Sequence, residues 1–176
     1  MKILLTGCPG VGKTTLVKEI SERLENCAGF YTEEIRDERN KRTGFDVVTV
    51  KSGQRSSLAR IQTPLKGPKV GQYTVTLKEF EAVALSAMSR DCEVLVIDEI
   101  GKMESFSSRF NNLVREVFSS DTHQGDILAT IPVRFDKLGL VKEIVDRDDT
   151  EIIEVTKSNR DELKSSLLEK LSRLKL

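Results

Sequence analysis

The apolar positions change rhythm from segment to segment, and each rhythm predicts an element. Ile3-Leu4-Leu5 is a continuous apolar run ending at Thr6-Gly7, the pattern of a strand covered on both faces. From Lys13 the apolar positions become Leu16, Val17, Ile20 and Leu24, the spacing of a helix packed along one side. Strand, glycine turn and helix in that order predict the opening of a parallel α/β domain. The next stretch is different. Residues 28–32, 45–50 and 57–61 are β-like, separated by a charged turn at 37–42 and by Lys51-Ser52-Gly53-Gln54. They predict an antiparallel meander, either set beside the parallel sheet or extending it.

Residues 67–71 read as a loop leading to a short strand, Tyr73-Thr74-Val75, after which Phe80, Val83, Ala84, Ala87 and Met88 mark one face of a helix. Val94-Leu95-Val96-Ile97 predicts a second doubly covered strand, and it ends in Asp98-Glu99. Phe106, Phe110, Leu113, Val114, Val117 and Phe118 predict an amphipathic helix. Residues 127–131 predict a strand stopped by Pro132, residues 138–145 a short helix, and residues 151–155 a strand. The last helix is expected to be capped by Ser158, with Asp161 three residues on. Leu163, Leu167, Leu168, Leu171 and Leu174 form its buried stripe. No repeat, linker or low-complexity segment interrupts this order. The expectation is one α/β domain over residues 1–176, with the meander at about 28–76.

Gly7-Cys8-Pro9-Gly10-Val11-Gly12-Lys13-Thr14 satisfies G-x-x-x-x-G-K-[ST] at every specified position, between the predicted strand and helix. The glycines let backbone N–H groups approach phosphate oxygens, and the following helix presents its N-terminus to the same anion. Lys13 is expected on the β- and γ-phosphates, Thr14 on Mg²⁺ and Thr15 at the α-phosphate. Four apolar residues ending in Asp98 match the strand that delivers a second Mg²⁺-binding oxygen. Glu99, directly after it, is expected to orient and deprotonate a water for attack on the γ-phosphate. A helix-end or surface acid is the competing account of Glu99.

Several further residues stand where a loop would meet this site. Thr130, at the end of its strand, could approach the γ-phosphate or simply terminate the strand. Arg134, after Pro132, could meet charge on the transferring phosphoryl group, and Lys102 could do the same. Exposed loop cations would look identical in sequence. Asn159 and Arg160 precede the last helix at the carboxyl end of a strand, where Arg160 could stack on a base, or cap and pair at the surface. Glu33 and Glu34 could bind substrate or metal, or flank a charged turn.

Charge and composition narrow the partners. Lys plus Arg and Asp plus Glu are both 28, so the chain has no net charge and no electrostatic footprint for nucleic acid. No apolar run approaches the roughly 20 residues of a membrane span, and no secretory signal is evident, so a cytoplasmic protein is expected. Cys8, Cys27 and Cys92 lack metal-type spacing and are expected to be free thiols. His123, the single histidine, stands in a polar stretch and is expected in a solvated loop, which leaves histidine chemistry out of the site.

Taken together, residues 7–15, Gly29-Phe30-Tyr31-Thr32-Glu33-Glu34, Gly44-Phe45, Val70-Gly71-Gln72-Tyr73, Asp98-Glu99-Ile100-Gly101-Lys102-Met103-Glu104, Thr130-Ile131-Pro132 and Asn159-Arg160 resemble a known group over nearly the whole chain. It is the small P-loop nucleoside-triphosphatase family of thermophilic archaea and bacteria, whose animal member is the cancer-related nucleoside triphosphatase. The resemblance implies a three-layer, RecA-like P-loop fold with a mostly parallel sheet. It also implies Mg²⁺-dependent hydrolysis of several nucleoside triphosphates, ATP and GTP among them, with Gly101 in the nucleotide site. Members of the family can carry Leu at the position of Ser105 and Glu or Pro at that of Cys8. An oxidised or alkylated Cys8 would then block nucleotide entry.

Two other functions fit the phosphate loop. A nucleoside or nucleotide kinase needs an acceptor pocket and an arginine-rich lid, and residues 134–142 hold one arginine. A slow binding switch would use the meander as a docking surface for a protein partner. A monomer is the expected state.

Overall fold

The computed structural model describes residues 1–119 and 122–172. In chain order the first half comprises β1 (Lys2–Thr6), α1 (Lys13–Arg23), β2 (Cys27–Arg36), β3 (Arg42–Thr49), β4 (Arg55–Arg60), β5 (Lys69–Val70) and β6 (Tyr73–Val75). The second half comprises α2 (Leu77–Ala87), β7 (Val94–Ile97), α3 (Ser108–Phe118), β8 (Asp126–Thr130), α4 (Gly139–Val145), β9 (Thr150–Glu154) and α5 (Arg160–Ser172).

The continuous apolar runs are strands covered on both faces, because successive side chains alternate between layers. Ile3 and Leu5 pack with Leu16, Val17 and Ile20 of α1 and with Leu167 and Leu171 of α5. Leu4 packs on the opposite face with α2, α3 and α4. There Phe30, Phe80 and Phe110 meet with ring centroids 5.4–6.0 Å apart, in edge-on or tilted arrangements that favour aromatic packing. Helices therefore flank the sheet on both sides, giving the expected three layers.

All nine strands belong to one sheet, in the order β5-β6-β4-β3-β2-β7-β8-β1-β9. The block β2-β7-β8-β1-β9 is parallel. The meander extends it, with every pairing from β2 out to β5 antiparallel. Parallel and antiparallel pairings are equal in number, so the sheet is mixed rather than mostly parallel. The reason is the length of β2. Its first residues pair with β7 up to Phe30↔Ile97, and the strand then runs on past Asp98, from Phe30 to Arg36, paired with β3. An ion-pair ladder ties the extension to α1, running from Lys18 to Glu33 to Arg55 to Asp46 to Arg60. Glu34 pairs with Arg36 and Arg42. Both glutamates are thus held in ion pairs of the meander.

Three local expectations change. Phe106 lies in a 3₁₀ turn (Glu104–Phe106), because Ser107 caps α3 by accepting the N–H of Phe110 at 3.0 Å. Ser158 does not cap α5. Asn159 organises that turn instead, accepting from Thr156 N–H and donating to the Glu154 carbonyl, both at 2.8 Å. His123 is buried, with its two ring nitrogens near the carbonyls of Arg90 and Asp126. Arg90, before β7, and Asp126, at the start of β8, supply these contacts, which no local pattern announces. Leu174 lies outside the described residues. Among the described residues, no helix is long and apolar enough to cross a membrane.

Candidate active site

The site forms at the carboxyl ends of β1, β7 and β8. Gly12 adopts φ 101° as the residue before α1, and no side chain caps the helix, so the first-turn N–H groups face the loop. A side chain at Gly12 would collide with Arg160, whose Nη1 would lie 2.6 Å from the added carbon. Gly7 and Gly10 also have positive φ, and the turn between them closes with Val11 N–H donating to the Cys8 carbonyl at 3.1 Å. Cys8, Pro9 and Gly10 are exposed, and Val11 is buried. Lys13 donates to the Gly7 carbonyl at 2.7 Å, arching over the loop that is expected to hold phosphate. Thr14 is half-buried and Thr15 exposed.

Asp98 follows β7 directly, joined to Glu99 by a cis peptide bond. Only 1% of Asp98 is exposed. Thr130 donates to its Oδ1 at 2.5 Å, Thr32 N–H approaches Oδ2 at 3.4 Å, and the Thr14 hydroxyl donates as well. Thr130 therefore holds the aspartate rather than standing free for the γ-phosphate. Burial still dominates and pushes the Asp98 carboxyl above its usual range, against those hydrogen bonds and the Lys13 charge. Among the described residues Asp98 has no salt-bridge partner.

Glu99 stands half-buried beside it. Burial first, then repulsion from Asp98, push its carboxyl up to about 7, with Lys13 opposing. A base poised near neutrality suits proton abstraction from water. Gly101 explains how a second acid fits here. A Cβ on Gly101 would lie 2.5 Å from Glu99 Oε1 and 2.9 Å from Glu104 Oε2, so the glycine makes room for two carboxyl groups.

Glu104 is the site residue that sequence reasoning missed. It is 5% exposed and accepts from the backbone N–H groups of Gly101 and of Glu104 itself. Ser105 donates twice to the Gly101 carbonyl, from its N–H at 3.1 Å and its hydroxyl at 2.6 Å, so the turn after Glu99 is pinned from both ends. Burial and the nearby Glu99 push Glu104 up to about 8. A carboxyl raised above its ordinary 4.5 stabilises the fold fully below that value, and the contribution is lost as pH rises toward 8. Glu104→Gln cannot ionise. Its melting temperature relative to wild type is expected to climb by roughly 3–8 °C between pH 5 and 9, without nucleotide or Mg²⁺. Parallel melting curves for the two proteins across that range would show that Glu104 ionises without penalty.

The structure thus brings Lys13, Thr14, Asp98, Glu99 and Thr130 together, with Arg160 reaching the loop from α5. It leaves Lys102 and Arg134 exposed, and neither makes a hydrogen bond or ion pair among the described residues. Cys27 and Cys92 are buried free thiols, and Cys8 is an exposed one.

A protein-family model described as NTPase matches residues 2–168. The chain is 43% identical over 171 residues to the nucleoside-triphosphatase THEP1 of Thermotoga petrophila, covering 96% of this chain and 91% of that one. It is 48% identical over 177 residues to the human cancer-related nucleoside-triphosphatase, covering 92% and 91%. The crystal structure of THEP1 from Aquifex aeolicus superposes with a TM-score of 0.84 at 39% identity, covering 97% and 99%. The solution structure of the human protein superposes at 0.81 with 42% identity, covering 99% of both chains.

Proposed function

Because the chain belongs to the NTPase family, we propose that it is a nucleoside-triphosphate phosphohydrolase, cleaving Mg²⁺-bound triphosphates to diphosphate and inorganic phosphate with broad base tolerance. The observation that carries the reading is the placement of Asp98 and Glu99. Both stand at the carboxyl end of β7, one strand removed from the β1 loop, with β8 and its Thr130 between them. Two neighbouring carboxylates facing a phosphate loop divide the work. Asp98 is fully buried and held by hydroxyls, and Glu99 is partly open and basic.

The residues present fit Mg²⁺. Thr14 and Asp98 offer hard oxygen donors, and Asp98 is a buried carboxylate with no salt-bridge partner among the described residues. A donor set of one hydroxyl and one carboxylate would suit an ion that keeps most of its water. A bound Mg²⁺ would neutralise charge on the β- and γ-phosphate oxygens. The chain's own residues do the rest. Loop N–H groups and the α1 N-terminus hold the phosphates, and Lys13 exchanges its Gly7 carbonyl for phosphate oxygens. Glu99 takes a proton from water as the water oxygen bonds to the γ-phosphorus and the bond to the β–γ bridging oxygen breaks. Preorganised charge, not covalent chemistry, lowers the barrier.

The test is phosphate release from ATP and GTP in ¹⁸O-labelled water, with Mg²⁺ and with EDTA. One labelled oxygen per phosphate, released only with Mg²⁺, is expected. Transfer to an added nucleoside or nucleotide in place of water would make the protein a kinase. The short run from Thr130 to α4, without an extended lid, speaks for water as the acceptor.

A further inference from the structure

Glu104 takes no part in the proposed chemistry, yet it is buried beside Glu99. Burying a carboxyl costs free energy that an apolar side chain of similar size avoids, and acids placed against that cost gather at functional sites. Its contacts show what it does locally. The carboxyl accepts from the N–H of Gly101, two residues beyond Glu99. Ser105 holds the Gly101 carbonyl, and Ile100, between Glu99 and Gly101, donates its N–H to the Thr130 carbonyl at 2.9 Å. The backbone that follows Glu99 is therefore tied at each peptide.

Glu104 is itself mounted on rigid elements. Ser107 N–H donates to the Glu104 carbonyl at 3.0 Å. The Ser107 hydroxyl both caps α3 and donates to Glu81 of α2 at 2.6 Å. Asn111 of α3 donates to the Ser105 carbonyl at 2.8 Å. A brace thus runs from α2 and α3 through Glu104 to the turn behind Glu99. The two side chains meet as well. A carbon added at Gly101 would lie 2.5 Å from Glu99 Oε1 and 2.9 Å from Glu104 Oε2, and two oxygens that close to one point are in contact or one water apart.

We propose that Glu104 is a positioning residue for Glu99: it braces the Gly101 peptide and limits the swing of the Glu99 carboxyl, holding it at the attacking water. This rests on the triphosphatase reading given above. The role depends on reach and shape rather than charge. Glutamine has both, with an acceptor oxygen for the Gly101 N–H, whereas aspartate keeps the charge and is one methylene too short. A displacement of about 1 Å at a reacting group can cost about a hundredfold in rate.

The experiment compares hydrolysis of MgATP by wild type, Glu104→Gln and Glu104→Asp, each with and without Glu99→Gln. Glu104→Asp is expected to lower kcat by about ten- to hundredfold while KM changes by less than about twofold. Glu104→Gln is expected to stay within about threefold of wild type in both. Once Glu99→Gln is present, Glu104→Asp is expected to cost nothing further, because the group it positions is gone. Full activity of Glu104→Asp, an equal loss in Glu104→Gln, or additive losses in the double variant would each overturn the proposal. If Glu104→Asp does not fold, Gly101→Ala carries the test. Gly101 lies outside the left-handed region, so alanine displaces the two carboxyls and not the backbone. It is expected to lower kcat by about tenfold or more with nucleotide affinity kept, and full activity would overturn the proposal.

A second readout needs no turnover. In the nucleotide-free protein, exchange of the Gly101 amide followed by NMR is expected to be about tenfold or more faster in Glu104→Asp than in wild type, and unchanged in Glu104→Gln. Equal exchange in all three would mean that Glu104 braces nothing. Wild type that binds nucleotide without releasing phosphate would defeat the triphosphatase reading and the positioning role with it. An active wild type with an equally active Glu104→Asp would defeat the positioning role alone.

Discussion

Glu99→Gln is expected to bind MgATP and MgGTP at least as tightly as wild type and to release phosphate about a hundredfold to ten-thousandfold more slowly. The size follows from the role. The amide cannot accept the proton that leaves the attacking water, and no histidine stands in the site to replace it. The direction of the affinity change follows from the neighbourhood. The Glu99 charge repels that of Asp98, and burial first, then this repulsion, push Glu99 up to about 7. Replacing one carboxylate by an amide relieves the repulsion and leaves Thr130 and Thr14 on Asp98. Single-turnover phosphate release and equilibrium nucleotide binding, measured on the same preparations, check both halves. A mutant that binds normally and still hydrolyses at the wild-type rate would remove Glu99 as the base. If neither protein releases phosphate although both bind nucleotide, hydrolysis is not the activity and an acceptor or partner must be sought.

Lys13→Ala is expected to weaken triphosphate binding by about a hundredfold, since charge-assisted hydrogen bonds to two phosphates each contribute about 1.5–3 kcal/mol and 1.4 kcal/mol is tenfold. The fold should tolerate the change. Among the described residues the side chain makes one hydrogen bond, to the Gly7 carbonyl, from a half-buried position, so its loss costs roughly 1 kcal/mol. Thermal melts of the free protein should therefore nearly coincide, while the stabilisation that wild type gains from added MgATP should vanish at the same nucleotide concentration. A mutant melting far below wild type in the absence of ligand would mean that Lys13 braces the loop itself. Full ligand-induced stabilisation in the mutant would show that the loop N–H groups and helix terminus suffice without it.

Contiguous features of the site were legible along the chain. The loop from Gly7 to Thr14 is a single run, and its glycines are demanded by local backbone geometry, as the positive φ of Gly7, Gly10 and Gly12 shows. The doubly covered strands were legible because a run such as Val94-Leu95-Val96-Ile97 has no polar face to offer water, and all four residues are buried. The family resemblance drew on the same contiguous runs and agrees with the matched relatives.

What sequence could not tell was which isolated polar residues would be buried and which would meet across the fold. His123 in a polar stretch and Glu104 after a glycine turn look solvated, because local pattern records periodicity and not what later packs on top. Thr130 and Asp98 are 32 positions apart, and Arg160 and Val11 are 149 apart. Those contacts exist because β8 lies between β1 and β7 and β9 lies beyond β1, an order set by the packing of strands that are distant along the chain. The mixed character of the sheet has the same origin, in the point where β2 outruns β7 and must find a second partner. The phosphate loop, the acidic pair and the buried strands are specified by neighbours a few residues away, and so could be read along the chain. That Thr130 holds Asp98 and that Arg160 reaches the phosphate loop depended instead on which distant segments share a face of the sheet.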